Sequence, residues 1–244
     1  MSETAEPEAT GRTFIRFTPV QRVEHVVQLI MFTTLVVTGL PQRYAESRLG
    51  EKLIQTMGGI DFVQTVHRFC GYVFILETAF HVFHVAYLVF IKRVNAKSMI
   101  PGPHDAKDAL HMVLYFLGLK KGRARFDRYD FRQKSEYWAL IWGGFVMILT
   151  GLMMRFPIFT TQYLPGELIP AAKAAHSGEA LLAALAIAVW HMYSAHLCAD
   201  VFPFDTTVFT GKISEERMRH EHPLEYERIL AEENAKEASE STSK

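Results

Sequence analysis

The sequence predicts an all-α membrane protein, a bundle of four transmembrane helices. Apolar residues make up 49% of the 244-residue chain and gather into four long blocks. Each block is close to the ~20 residues that a bilayer crossing needs. The blocks are apolar on most faces, whereas a helix of a soluble four-helix bundle, the competing reading, carries one apolar stripe. Charged residues collect instead in the two ends and in one long connection.

Helix one is expected over about residues 22–41, stopping at Pro41. Helix two, about 61–92, is long and carries Arg68, Glu77 and three histidines. Helix three, about 136–155, is the cleanest, with no charge between Glu136 and Arg155. Helix four, about 173–201, carries Glu179 and three histidines. Together they form an expected domain over 14–210. The connection between helices two and three contains PGPHDAKDAL and GLKKGRARFDRYDF, with a short interfacial helix expected around 105–119. Residues 1–11, MSETAEPEATG, lack the basic region and apolar core of a secretory signal. Residues 1–13 are expected to be a disordered lead, and 211–244 a tail that is disordered after about 230, where AEENAKEASESTSK begins.

Equal numbers of basic and acidic residues, 26 each, leave no net charge to favour nucleic acid. Two cysteines exclude a disulfide scaffold, and the absence of C-x-x-C-H excludes covalently attached haem. Lys and Arg number three before helix one, 11 between Lys92 and Lys134 and six after helix four. Those segments share one side of an even-numbered bundle. The positive-inside rule makes that side cytoplasmic, termini included.

Seven of 11 histidines lie in or at the apolar blocks: His25, His67, His81, His84, His176, His191 and His196. Ionisable groups within a span are costly and usually functional. His67 and His81 are 14 residues apart, a rotation of only about 40° and a rise of ~21 Å. His176 and His191 are 15 apart, about 60° and ~22 Å. Helices two and four run in the same direction, so two histidines stand near the outer face and two deeper, at matching heights. Facing imidazoles at two levels suit two stacked haems, each held by a histidine pair. Zinc suits them less, because nothing completes a tetrahedral set. His25, one turn inside helix one, competes for the inner level. His196 and His84 are rotated away from these columns, and His104, His111, His220 and His222 are expected to be solvated or interfacial. Gly71, one turn after His67, suits close approach of a porphyrin or of a neighbouring helix. Gly39, Gly143, Gly144 and Gly151 carry the same two readings.

RFTPVQRVEHVVQLIMFTTLVVTGLP, VHRFCG, KSEYWALIWGGFVMILTGLMM, WHMYSAHL and HEHPLEYERI, in that order, resemble the transmembrane di-haem cytochrome b subunits of respiratory complexes. These include the formate dehydrogenase gamma subunit and the cytochromes b of thiosulfate reductase and nickel–iron hydrogenase. The resemblance spans roughly residues 14–230. It implies two b haems, with His67 and His176 as ligands to the iron of the outer one, and His25 and His191 to that of the inner. His81 is the named competitor to His25, because helical spacing favours it. The resemblance further implies a multi-pass protein of the bacterial cytoplasmic (inner) membrane. It would exchange electrons with a menaquinone or ubiquinone near His25 and His191, where Arg22, Glu24 and Lys92 are polar candidates. A peripheral redox subunit, iron–sulfur or multihaem, is expected on the outer face. The chain holds no ligand set for a primary catalytic centre, so it reads as an electron-transfer subunit rather than a complete enzyme. The alternative is a stand-alone cytochrome b561-type quinone oxidoreductase of the superoxide:quinone type.

A reporter fused after Lys244 tests the topology: it should be active as a cytoplasmic fusion, and activity seen only in the periplasm contradicts the charge argument.

Overall fold

The computed structural model describes residues 11–94, 96–198 and 201–242. Four helices are long and apolar enough to cross a membrane. Among the described residues they span Pro19–Arg43, Ile60–Ile91, Phe131–Arg155 and Leu168–Leu197; their α-helical parts are α1 (Pro19–Arg43), α3 (Ile60–Ala86), α5 (Phe131–Arg155) and α7 (Leu168–Leu185). Two short helices join them in pairs, α2 (Arg48–Thr56) and α6 (Pro157–Tyr163). Even the shortest span, 25 residues, extends about 37 Å, more than the ~30 Å hydrocarbon layer. The expected ends fall within five residues of those observed.

Helices satisfy backbone hydrogen bonding internally, as hydrocarbon demands. Threonine hydroxyls inside the spans follow suit. Thr34, Thr38, Thr78 and Thr150 each donate to the carbonyl four residues earlier, at 2.6–2.8 Å. Large apolar side chains such as Leu76, Phe83 and Trp142 lie on the protein's exterior, the arrangement that suits a lipid solvent. Spans two and four end differently from the other two. α3 passes into a π-helical stretch, Tyr87–Ile91, and α7 into two, Ala186–His191 and Tyr193–Leu197. π-Helical turns are rare and cluster at functional sites.

The chain divides into two compact units rather than one domain followed by a tail. The membrane unit comprises Pro19–Val94 and Tyr137–Thr206, and within it α1 packs against α3 and α7. The second unit gathers the segments up to Thr18, Asn95–Glu136 and from Thr207 onwards. It holds α4 (Pro103–Phe116), the interfacial helix expected around 105–119, and α8 (Thr207–Thr210). It also holds α9 (Glu215–Glu221) and α10 (Pro223–Thr242). Strand β1 (Thr13–Ile15) pairs antiparallel with β2 (Lys212–Ser214), Phe14 opposite Ile213. Phe14, Ile213, Met218 and Tyr226 form its small core.

Polar contacts tie the three segments together. Glu225 takes the Arg16 guanidinium at 2.9 Å and that of Arg128 at 2.6 Å. The side chains of Arg16 and Glu225 are only 3% and 4% exposed, so removing one would strand a buried charge, at about 3–5 kcal/mol. The two arginines also exchange bonds to each other's carbonyls.

These contacts overturn three expectations. Of the lead, residues 1–10 lie outside the described residues, but Thr13 is already in a strand and the Arg12 carbonyl accepts from the Glu215 amide. The tail is helical through Thr242 instead of disordered after about 230. Ile229 and Leu230 pack on the small core, and the Ala, Glu and Lys that follow are good helix formers that extend an anchored helix. His222 is buried rather than solvated, its Nδ1–H donating to the Asp127 carbonyl at 2.9 Å.

Burial, and then the nearby Arg16 charge, push the His222 pKa down to about 4. An unfolded chain takes up that proton near pH 6.5. Between those values the unfolded form binds the proton and the folded form does not. Acid therefore destabilises this unit across the window, by about 3 kcal/mol in total, and no further below it. His222→Gln keeps a donor for Asp127 without the titration. Unfolding of both proteins from pH 7 to 4 should show the wild type losing stability relative to the variant. A constant difference contradicts the assignment.

Candidate functional site

The spans bring imidazoles together in two facing pairs. His67 on α3 meets His176 on α7, with ring centroids 6.3 Å apart and planes at 71°. His25 on α1 meets His191, the last residue of the first π-helical stretch after α7, with centroids 6.4 Å apart and planes at 37°.

The first pair is gripped in the same way on both sides. Thr38 Oγ1 of α1 lies 2.9 Å from His67 Nδ1. Thr150 Oγ1 of α5 lies 3.0 Å from His176 Nδ1. A glycine follows each threonine. A Cβ at Gly39 would stand 3.1 Å from His67 Cε1, and one at Gly151 would stand 3.3 Å from His176 Cε1. Each ring edge thus lies against a helix backbone that only glycine leaves open to it. Gly144 faces Phe74, and a side chain at Gly143 would run into the Glu179 carboxylate. At Gly71 an added Cβ would meet nothing from a neighbouring helix within 4 Å among the described residues.

Sequence reasoning missed the two threonines. Their signal was present: Thr-Gly-Leu occurs at 38–40 and again at 150–152, near the corresponding ends of spans one and three.

His81 faces other partners. Its Nε2 is 3.0 Å from the Tyr137 hydroxyl, and its Nδ1 is 3.5 Å from Glu24. His84 lies 3.5 Å from the other Glu24 oxygen and stacks on Phe80. His196 stacks flat on Phe204, 4.2 Å between centroids, and its Nδ1 accepts from the Asp205 amide. Of the polar residues expected near the inner pair, Glu24 is thus turned to α3, and Lys92 lies over the Tyr87 ring. The Arg22 Nε is buried without a hydrogen-bond partner among the described residues.

Ring spacing says what such pairs can hold. An imidazole nitrogen binds a transition metal at about 2.0–2.1 Å, and the ring centre stands roughly 1.1 Å behind it. Two imidazoles on opposite sides of one ion therefore have centroids about 6.3 Å apart, as both pairs do here. Two protein ligands per site do not make a cage for a bare ion. Among the described residues no group of three or more His, Cys, Asp or Glu could hold one. Paired histidines therefore fit a metal that brings its own equatorial ligands, which is the donor set of bis-imidazole haem.

Four membrane helices enclosing facing histidine pairs define the class as a membrane-embedded cytochrome b. The chain belongs to the prokaryotic cytochrome b561 family, whose profile matches residues 16–198. It is also similar to the cytochrome b556(Fdn) subunit of the nitrate-inducible formate dehydrogenase of Escherichia coli (strain K12). The same subunits of Escherichia coli O157:H7 and Shigella flexneri match equally. Identity is 24% over 230 residues, covering 94% of this chain and 98% of each relative. Membership makes the protein an integral membrane electron carrier with b-type haem.

Proposed function

We propose that the protein is the membrane cytochrome b subunit of a respiratory oxidoreductase complex, passing electrons between a peripheral redox subunit and the quinone pool through two b haems. The observation that carries this reading is the double histidine pairing, at the spacing of two imidazoles sharing one metal. The relatives are named as a formate dehydrogenase subunit and are matched over nearly their full length. That favours a subunit over the stand-alone superoxide:quinone alternative, which would use the same ligands without a partner.

In this reading His67 and His176 hold the outer haem, and His25 and His191 the inner. Bound there, a haem supplies one-electron chemistry. The chain's part would be to fix the orientation of each ring so that one nitrogen is left to hold the group. His81 is the competitor, but its ring is engaged with Tyr137 and Glu24. The quinone would bind near His25 and His191, interconverting with quinol by exchange of two electrons and two protons. Both termini face the cytoplasm in the inner membrane, and the peripheral subunit sits on the outer face. The type of quinone, menaquinone or ubiquinone, and the direction of flow are free parameters of the reading.

Pyridine haemochrome analysis of the loaded protein should give two b haems per chain. His191→Ala and His25→Ala should each halve that number, while His81→Ala leaves it at two. One haem per chain in the wild type, or haem loss following His81 rather than His25, overturns the assignment. Co-purification of a peripheral redox subunit separates the complex reading from the stand-alone one.

A further inference from the structure

The outer histidines are held by more than packing. The Thr38 hydroxyl has one proton, and it is already given to the Thr34 carbonyl at 2.7 Å. Thr150 gives its own to the Val146 carbonyl at 2.6 Å. Each hydroxyl oxygen can then only accept from the imidazole nitrogen 2.9–3.0 Å away. In a neutral imidazole one nitrogen carries the proton and the other the lone pair. With Nδ1 as the N–H, both rings must present Nε2 as the free base.

We infer that Thr38 and Thr150 are positioning residues of the outer haem site, each locking its histidine as the Nδ1–H tautomer and leaving Nε2 as the nitrogen that would hold the metal. The inference rests on His67 and His176 being the outer ligands, as proposed above. An accepted N–H raises the basicity of the ligating nitrogen and holds the ring's orientation. A more basic ligand favours ferric iron, so these bonds lower the outer potential. The two Thr-Gly steps do this symmetrically from opposite spans: the threonine fixes one ring atom and the glycine makes room for its neighbour.

The experiment uses the full chain in its complex, with Thr38→Val, Thr150→Val, Thr38→Ser and Thr150→Ser. Valine keeps the shape and removes the acceptor; serine keeps the acceptor. Redox titration should show both valine variants raising the potential of one haem, the same in each, with the other unmoved. The low-spin electron paramagnetic resonance signal of that haem should shift with it. Serine should restore both readouts. Two haems present with unchanged potential and signal in the valine variants overturns the inference, as does a serine variant that behaves like valine. If a valine variant loses the haem instead, the serine variant decides: retention at the wild-type potential supports the hydrogen-bond role, and loss refutes it. His67→Ala run alongside isolates the underlying reading, because two haems retained there would refute the ligand assignment itself.

Discussion

Hydrocarbon offers no hydrogen-bond partner, and the membrane unit is organised by that constraint. A polar group placed in a span is costly unless it finds a partner on its own helix or on a facing one. Thr34 and Thr78 take the first route, each returning its hydroxyl to its own helix. Thr38 and Thr150 take both, donating along their own helices and meeting an imidazole from a neighbour. Glu24 faces two histidines of α3, and His81 faces Tyr137 of α5. Polar contacts therefore fix which faces of the four helices turn inward, in a solvent where apolar surface alone gives little preference.

Outside the membrane unit the same accounting uses charge. Three stretches that are distant in sequence converge on Glu225, which takes Arg16 from the first and Arg128 from the second. Such a buried cluster is weak evidence of net stability, since desolvation offsets attraction. It does specify the pairing strictly, because any misassembly strands a buried ion. The short β1–β2 ribbon and the Phe14–Tyr226 contact supply the apolar part of the same junction.

The paired histidines illustrate the difference between a phase along one helix and a phase between helices. Fourteen-residue spacing put His67 and His81 on one face of span two, and fifteen-residue spacing put His176 and His191 on nearly one face of span four, at two levels. Those intervals were sufficient to foresee the His67–His176 level. They favoured His81 for the inner level, yet the ring opposite His191 is that of His25. Helical periodicity contains neither the rotation of α1 about its axis nor the π-helical stretch that ends at His191. In addition, Glu24 and Tyr137 hold the His81 ring.

By itself the sequence determined the four spans, because length and all-round apolarity leave few alternatives in a bilayer. It also determined the histidine columns, through the fixed rise and rotation of a helix. The helix between spans two and three, α4, was legible for the same local reason. Only the tertiary structure decided that Thr38 and Thr150 grip the His67 and His176 rings, since each contact joins two spans and a threonine in an apolar run otherwise looks like ordinary helix. Only it decided that His222 is buried and that the tail continues as a helix. Composition reports what a segment can bury by itself, whereas Arg16, Phe14 and Ile213 lend α10 and its first turn a surface that their own residues lack.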